Sequence, residues 1–205
     1  PELAFTSDAV LVLRKLIREF RHRNDNVARY GADLIFDGAT VMTISRSSAV
    51  TAAFMHAKKS GKQFCVIQLA GAPGNEGYIA ARELDHQQIF TELITDAQAG
   101  LFVEHADIVM VGCDSWLADD YFVNKAGTYP LALLAKAHNK PLWVLADRYK
   151  NSDQDHQYFV LEEIDTSELK APEGKFIKPR NIYFESVSCR LVTGRVTESG
   201  CERLH

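Results

Sequence analysis

Hydrophobic and polar residues along this chain follow two alternating periods, that of short buried strands and that of amphipathic helices. Apolar runs rich in β-branched residues indicate strands that are buried on both faces. We predict such strands at residues 40–43, 64–67, 90–94, 107–111 and 142–145. The helical spacing of apolar residues predicts helices at 48–59, 77–87, 97–104 and 129–138. Strands that alternate with helices through right-handed crossovers give a doubly wound parallel sheet of the α/β class.

A further helix is predicted before this repeat begins. Thr6, Ser7 and Asp8 are candidate N-cap residues, and apolar residues follow them at helical spacing. These are Val10, Leu13, Leu16, Ile17 and Phe20. Basic residues at 14, 15, 18, 21 and 23 lie along the same helix, as a solvated face or as a contact for an acidic partner. We therefore divide the chain into a short helical N-terminal segment, residues 1–34, and an α/β domain, residues 35–205.

The composition changes after the last strand of the repeat. Residues 147–180 are rich in Asp, Asn, Gln, Glu, Pro and Lys, which indicates an exposed connection or a segment that faces a partner. Strand character returns at 182–184 and at 191–193. These two runs add either to the sheet or to an interface, and both alternatives stay open.

Composition and charge are those of an ordinary globular protein. The chain has 205 residues, of which 46% are hydrophobic and 24% charged, and its net charge is −4. Because basic residues are interspersed with acids, we expect no nucleic-acid partner. The four cysteines have no paired spacing and the seven histidines no metal-binding spacing, so we predict reduced thiols and neither a metal nor a cofactor. Without a long apolar stretch or a signal pattern, we expect a cytoplasmic protein with no membrane partner.

Polar residues follow the first predicted strand, at the point where the chain enters a helix. Thr43, Ser45, Arg46, Ser47 and Ser48 are grouped there. The unpaired N–H groups of a helix N-terminus, together with such side chains, suit a phosphate group. The alternative is that Ser47 or Ser48 only caps the helix, which is a common role for serine.

A second polar group precedes the helix predicted at 129–138. Asn124, Lys125, Gly127 and Thr128 lie at what we predict to be another helix N-terminus that follows a parallel strand. Because the carboxyl ends of parallel strands meet at one edge of a sheet, this group and the serine-rich turn should open onto the same edge. Two such sites on one edge predict a phosphorylated ligand.

Two aspartates also follow predicted strands. If Asp114 faces a cleft, partial burial raises the pKa of its carboxyl and fits it for proton transfer, whereas its alternative role is to brace the loop. Asp96 either caps the helix behind it or contacts a ligand at the same edge. The glycine-rich segment 71–77 matches neither GxGxxG nor GxxxxGK, so we predict a turn or a lid there.

Several motifs occur together and in order between about residues 35 and 150. They are Asp37-Gly38, Val41-Met42-Thr43, Gly61-Lys62-Gln63-Phe64, Val111-Gly112-Cys113-Asp114-Ser115, Asn124-Lys125-Ala126-Gly127-Thr128 and Ala135-Lys136-Ala137-His138-Asn139-Lys140-Pro141. This set resembles the initiation factor 2B alpha/beta/delta family, which includes the regulatory subunits of the translation exchange factor, methylthioribose-1-phosphate isomerase and ribose-1,5-bisphosphate isomerase. The resemblance implies a Rossmann-like domain, paired as a homodimer or with a related subunit. It also implies a longer helical domain before it, of which residues 1–34 are a remnant.

The resemblance implies roles for individual residues as well. In the isomerase branches, a cysteine after the first strand and an aspartate after the fourth share the proton transfers between aldose and ketose phosphates. Asp114 matches the aspartate, but Ser45 stands at the cysteine position, and an alcohol is a far weaker acid than a thiol. A second departure is Ala70-Gly71-Ala72-Pro73, where the isomerases resemble Glu-Thr-Arg-Pro and use the arginine toward substrate.

These observations leave three functions open, of which we favour the first. It is a regulatory or non-catalytic protein that binds a phosphorylated small molecule, either a sugar phosphate or a nucleotide. The second is an aldose-ketose isomerase acting on a pentose phosphate, with Asp114 as proton shuttle and Ser45 or a water in place of the cysteine. The third is a structural subunit with a vestigial cleft and a dimer surface that contacts a translation factor.

Overall fold

The helices and strands of the first half of the chain alternate in the predicted order. The structure is a computed structural model and describes residues 7–204. Its helices are α1 (Ser7–Asp33), α2 (Ser48–Lys59), α3 (Gly77–His86), α4 (Ala99–Phe102) and α5 (Thr128–Ala137). Its strands are β1 (Thr40–Ile44), β2 (Cys65–Leu69), β3 (Phe90–Ile94), β4 (Ile108–Val111), β5 (Ser115–Trp116), β6 (Tyr121–Lys125), β7 (Leu142–Leu145), β8 (Phe184–Ser188), β9 (Gly194–Thr197) and β10 (Gly200–Arg203). In this part of the chain, no helix combines the length and the apolar character that crossing a membrane requires.

The strands form a large central sheet and a small one. The central sheet has seven strands in the order β10-β9-β7-β4-β1-β2-β3, and only β10, at its edge, runs antiparallel to its neighbour. Counted along the chain, its six parallel strands follow the order 3-2-1-4-5-6 of a doubly wound sheet. The small sheet is antiparallel and has the order β5-β6-β8. The predicted α/β fold with a largely parallel central sheet is therefore confirmed.

Successive residues of the central strands belong to two hydrophobic cores, one on each face of the sheet. In β1, Val41 shares a buried cluster with Phe54 of α2 and Val27 of α1. Its neighbour Met42 shares the other cluster with Leu131 of α5. A strand covered on both faces needs continuous apolar residues, which explains the unbroken hydrophobic runs of β1, β4 and β7.

Helix α1 is buried over its C-terminal half and exposed over its N-terminal half. Val27 exposes 1% of its surface, whereas Phe20 exposes 50%. The helix predicted to precede the repeat is confirmed over Ser7–Asp33, while Thr6, one of its candidate N-cap residues, lies outside the described residues. The domain boundary after residue 34 stays a prediction.

The segment between β4 and α5 is more elaborate than a connection from strand to helix. It contains β5 and β6, and β6 pairs antiparallel with β8. Asn124 and Lys125 therefore end an antiparallel strand, and the prediction that they follow a parallel strand is wrong. The cause is Phe122, which is fully buried and stacks on Trp116 of β5 with ring centroids 5.8 Å apart. This packing favours a short strand, paired with β5 and β8, over an open loop.

Other local predictions also need correction. The helix predicted at 97–104 is broken, since only α4 is α-helical and a turn of 3-10 helix lies on each side of it. Residues 151–180 form a mainly irregular connection, which agrees with the connection predicted over 147–180. The strands predicted at 182–184 and 191–193 begin later, as β8 in the small sheet and β9 in the central sheet.

Candidate functional site

The candidate site lies where the order of the parallel strands reverses. Strands β1 and β4 are neighbours at the centre of the sheet, and the following strands extend from them in opposite directions. In doubly wound folds, ligands bind at this point in the crevice outside the carboxyl ends of the strands. Residues 46–49, which follow β1, and residues 112–114, which follow β4, line a common crevice there.

Ser45 has a strained backbone at the entrance to α2. Its φ is 60°, in the left-handed region that residues other than glycine rarely adopt. Its N–H donates to the carbonyl of Leu69 at 3.3 Å, and its carbonyl accepts from Gln68 Nε2 at 2.7 Å. Gly71 packs so closely that a Cβ there would come within 2.8 Å of the Ser45 Cα. Such strain costs about 1–3 kcal/mol, persists only where the surroundings impose it and is concentrated at functional sites.

The N-terminus of α2 opens into the crevice. Ser47 is its N-cap, and the Ser47 hydroxyl accepts a hydrogen bond from the N–H of Val50 at 3.5 Å. This contact is the capping role that the sequence left open as the alternative. Within residues 7–204, the N–H groups of Ser48 and Ala49 have no acceptor. The cap thus leaves two donors of the first turn free for a ligand.

The crevice is a cleft with a volume of about 190 Å³. Five predicted site residues line it, namely Arg46, Ser47, Ser48, Asp114 and Asn124. Phe20, Asn24 and Val27 of α1 close one side of it. Pockets for drug-sized ligands measure roughly 300–1,000 Å³, so this cleft suits a phosphate group and a few attached atoms.

Asp114 lies in the cleft with a free carboxylate. Its main-chain N–H donates to the carbonyl of Val123 at 2.8 Å, but its carboxylate has no hydrogen bond or ion pair among the described residues. Partial burial raises the pKa of this carboxyl, and the Lys150 ammonium opposes the shift. Since the residue keeps contact with solvent, the carboxylate can exchange protons with a bound molecule or with water.

The segment after β7 contributes cleft residues that the sequence analysis missed. Asp147 and Lys150 line the cleft, and Asp147 accepts a hydrogen bond from the N–H of Tyr149 at 3.0 Å. The buried Arg195 holds this segment at both ends, through the carbonyl of Ala146 at 2.9 Å and Asn151 Oδ1 at 2.8 Å. Asp147 follows a predicted parallel strand, so the argument applied to Asp114 also identifies it. Nothing in the sequence pattern marks Lys150.

Ser45 and Lys125 meet each other through Glu76 rather than in the cleft. The Ser45 hydroxyl donates to Glu76 Oε2 at 3.1 Å, and Lys125 Nζ donates to Glu76 Oε1 at 3.0 Å. Lys125 exposes only 4% of its surface, and its ammonium lies 3.7 Å from the centre of the Tyr183 ring. Ser45 and Lys125, predicted to open onto the same edge of the sheet, therefore do not line the cleft that contains Asp114, because the glycine-rich segment 71–77 brings a carboxylate between them.

The N-terminus of α5 is occupied by another carboxylate of the chain. The N–H groups of Gly127 and Tyr129 donate to Glu185 Oε1 at 2.7 and 2.8 Å. Thr128 is fully buried, where its hydroxyl accepts from Asn124 Nδ2 at 2.9 Å and donates to the carbonyl of Lys125 at 2.6 Å. Of this predicted group, only Asn124 reaches the cleft.

The other predicted site residues have structural partners. Arg46 donates twice to Glu83, from Nε at 3.0 Å and Nη2 at 2.8 Å, which raises the pKa of its guanidinium. Thr43 is buried within β1. Asp96 accepts from the N–H groups of Gly71 at 2.8 Å and Ala72 at 2.7 Å, whereas Thr95 caps the turn behind it, so the predicted capping role of Asp96 is wrong.

Metal binding has no support in the geometry of residues 7–204, since no three or more His, Cys, Asp and Glu side chains there are grouped to hold an ion. The polar groups of the cleft are instead suited to hydrogen bonding. Two free N–H groups, an ammonium and an amide share the cleft with the carboxylates of Asp114 and Asp147.

Comparison with known proteins identifies the family. The sequence pattern of the initiation factor 2 subunit family matches residues 4–203. The chain belongs to this family. It is similar to the translation initiation factor eIF-2B subunit 2-like protein of Pyrococcus furiosus, with 37% identity over 187 residues, which cover 91% of this chain and 66% of that protein. It thus spans about two thirds of the length of such relatives.

Relatives within the family carry two kinds of name. The ribose 1,5-bisphosphate isomerase of Methanocaldococcus jannaschii is 32% identical over 180 residues, covering 86% of this chain and 58% of that enzyme. A crystal structure of the eIF-2B translation initiation factor of Pyrococcus horikoshii superimposes with a TM-score of 0.85 at 37% identity, covering 93% of this chain and 67% of that one. The predicted family and fold are confirmed. Dimerisation and cytoplasmic location stay predictions.

Proposed function

We propose that this chain binds a phosphorylated small molecule, a sugar phosphate or a nucleotide, in the cleft at the N-terminus of α2, in a regulatory rather than a catalytic role. The observation that carries the proposal is the open start of α2, where the Ser48 and Ala49 N–H groups lack an acceptor within the described chain. Such donors, reinforced by the helix dipole, favour an anion. Lys150 supplies a full positive charge at the same cleft.

The remaining polar groups suit the rest of such a ligand. With the phosphate on the first turn of α2, Asn124 and Asp114 offer an amide and a carboxylate to hydroxyl groups. Phe20 and Asn24 of α1 line the same cleft, so a ligand bound there lies beside this helix. Helix α1 thereby becomes part of the binding site.

The groups at the cleft that could exchange protons support a non-catalytic role. Ser45 stands where the isomerase resemblance requires a cysteine, and its hydroxyl already donates to Glu76. The nearest thiol at the cleft is Cys113, and burial raises its pKa to about 12. Near neutral pH that thiol stays protonated, so it does not replace the missing thiolate.

One observation favours an isomerase as the second candidate function. Partial burial raises the pKa of the Asp114 carboxyl, which is the direction expected of a group that takes and returns a proton. Under this alternative, Asp114 is the proton shuttle, with a water or Ser45 as its partner. Two similar proteins are named ribose 1,5-bisphosphate isomerase and methylthioribose-1-phosphate isomerase, which is consistent with this alternative.

A combined binding and turnover assay tests the proposal. The protein is incubated with ribose 1,5-bisphosphate and with methylthioribose 1-phosphate, and its thermal stability is measured against phosphosugars and nucleotides. We expect stabilisation without turnover, because a ligand that binds only the folded state raises apparent stability. Turnover that Asp114→Asn abolishes would establish the isomerase instead. If no phosphorylated compound shifts the melting temperature, the chain is a structural subunit.

A further inference from the structure

A basic groove lies at the amino ends of the central strands, whereas the cleft lies at their carboxyl ends. The groove has a volume of about 620 Å³ and is found beside the C-terminus of α5 and the amino ends of β7 and β9. Its cations are Lys136, Lys140, Arg190 and Arg203. These residues come from α5, the turn before β7, the turn after β8 and the end of β10, so the fold rather than one helix face brings them together.

The positive charge of this basic groove is not balanced by its surroundings. Within residues 7–204, no carboxylate lines the groove and neither Arg190 nor Arg203 forms an ion pair. Lys136 and Lys140 donate to main-chain carbonyls, those of Arg190 at 3.0 Å and Glu104 at 2.8 Å. The nearby acids are engaged elsewhere, Glu104 with His138 and Glu202 with Arg148.

The size of this charge indicates the class of ligand. The C-terminus of α5 contributes roughly half a negative charge, which leaves about three and a half of the four positive charges. A phosphate monoester carries about two negative charges at most near neutral pH, too few to match the groove. Four cations in a single groove also differ from the extended basic stripe of a nucleic-acid binder.

We propose that the basic groove binds an oligophosphate, a small ligand with two or three linked phosphate groups, such as the phosphate chain of a nucleoside di- or triphosphate. The arginines meet phosphate oxygens as bidentate donors. Lys136 and Lys140 keep two donors each after binding their carbonyls. Pro141, Leu191 and Val192 add apolar lining to the groove, which suits the ring of a nucleotide.

Calorimetric titration with inorganic orthophosphate, pyrophosphate and tripolyphosphate at low salt tests this proposal on the full chain. We expect tripolyphosphate to bind at least about tenfold more tightly than orthophosphate, because it forms more charge-assisted hydrogen bonds. The double variant Arg190→Gln, Arg203→Gln should weaken tripolyphosphate binding by at least about tenfold. Both arginines are exposed, so the variant should fold, and its melting temperature is checked alongside.

Matched controls separate the groove from general charge effects and from the cleft. Arg14→Gln, Arg18→Gln removes the same charge from the exposed face of α1 and should change affinity by less than about twofold. Lys150→Met alters the cleft and should likewise have no effect on tripolyphosphate. Undiminished binding by the groove variant overturns the proposal, and so does equal weakening by the α1 control. Weakening by Lys150→Met alone would assign the oligophosphate to the cleft.

Two further outcomes would also overturn the proposal that the basic groove binds an oligophosphate. One is that the unaltered chain binds neither pyrophosphate nor tripolyphosphate. The other is a single-stranded oligonucleotide that displaces tripolyphosphate and binds more tightly at equal phosphate concentration, which would make the groove part of a nucleic-acid surface. Displacement of tripolyphosphate by a nucleoside triphosphate at similar concentration supports the nucleotide as the source of the phosphate chain.

Discussion

Helices α2 and α5 both begin beside the central sheet, but the donors of their first turns meet different partners. At α2, the Ser48 and Ala49 N–H groups face a cleft without an acceptor among the described residues. At α5, Glu185 accepts from the N–H groups of Gly127 and Tyr129, and Pro130 has no N–H to offer. One helix start is available to an anion from solution, and the other already holds the carboxylate of the chain.

The comparison teaches that a helix N-terminus is a binding site only if the rest of the fold leaves it open. Both starts carry hydroxyl residues and both have the positive end of a helix dipole. What differs is the neighbour, since β8 places Glu185 beside α5 while the cleft lies beside α2. Substitutions that remove these neighbours or donors should therefore change stability or binding to different extents at the two helix starts.

The largest effect is expected from Gly71→Ala, which disturbs the strained turn before α2. Gly71 has φ of 73°, and a Cβ there would come within 2.8 Å of the Ser45 Cα. Left-handed alanine and the forced shift of backbone together should lower the free energy of unfolding by about 3 kcal/mol. Gly38→Ala is the matched control, because Gly38 has φ of 86° but open space around it, and it should cost only about 1 kcal/mol. Urea unfolding measures both, and equal losses would show that the contact with Ser45 is unimportant.

The second effect concerns the occupied helix start. Glu185→Ala removes the acceptor of two N–H groups at α5 and should lower the free energy of unfolding by about 1–2 kcal/mol. Phosphate in the buffer should then stabilise the variant more than the unaltered chain, since it can replace the lost carboxylate. Glu162→Ala, at an exposed residue, is the control and should have no effect. A variant that phosphate does not rescue would contradict the view of Glu185 as a built-in anion.

The third effect concerns the open helix start. Lys150→Met should weaken binding of a sugar phosphate in the cleft by about fivefold to tenfold, which corresponds to about 1–1.4 kcal/mol. Its stability should change little because Lys150 is exposed. Lys178→Met removes the same charge from an exposed site elsewhere and serves as control. Calorimetric titration measures both, and equal weakening would reduce the role of Lys150 to long-range attraction.

The smallest effect is the pH dependence that Asp114 adds to stability. Its pKa is raised in the folded state, so the folded chain binds the proton more tightly than the unfolded chain. The penalty on the ionised carboxylate is therefore absent below the unfolded pKa, near 3.9, and grows as pH rises through the folded pKa. Asp114→Asn should make the protein slightly more stable near neutral pH, with the difference fading in acid. A stabilisation that persists unchanged in acid would contradict this account.

The sequence was informative about the fold because the signals of the central strands are local. Val109-Met110-Val111 is an unbroken apolar run, and it forms β4 between two parallel neighbours. The antiparallel β6 was missed, since its evidence is the packing of Phe122 on Trp116 rather than a pattern in its own residues.

The sequence was less informative about the candidate site because the partners of its polar groups lie far along the chain. Glu76 is separated from Lys125 by 49 residues, and Glu185 from Gly127 by 58. No local pattern indicates that one carboxylate pairs with Lys125 and that the other occupies the N-terminus of α5, the two places where we expected a ligand. The cleft does bring together predicted residues that follow or face the end of a central strand, as the topology requires. They are Ser47, Ser48, Asp114 and Asn124.

Amide NMR chemical shifts during titration with a sugar phosphate show whether the ligand binds at the start of α2 or at the start of α5. We expect the largest changes at the N–H groups of Ser48 and Ala49, while those of Gly127 and Tyr129 keep their chemical shifts. Large changes at Gly127 and Tyr129, with none at Ser48 and Ala49, would contradict this expectation.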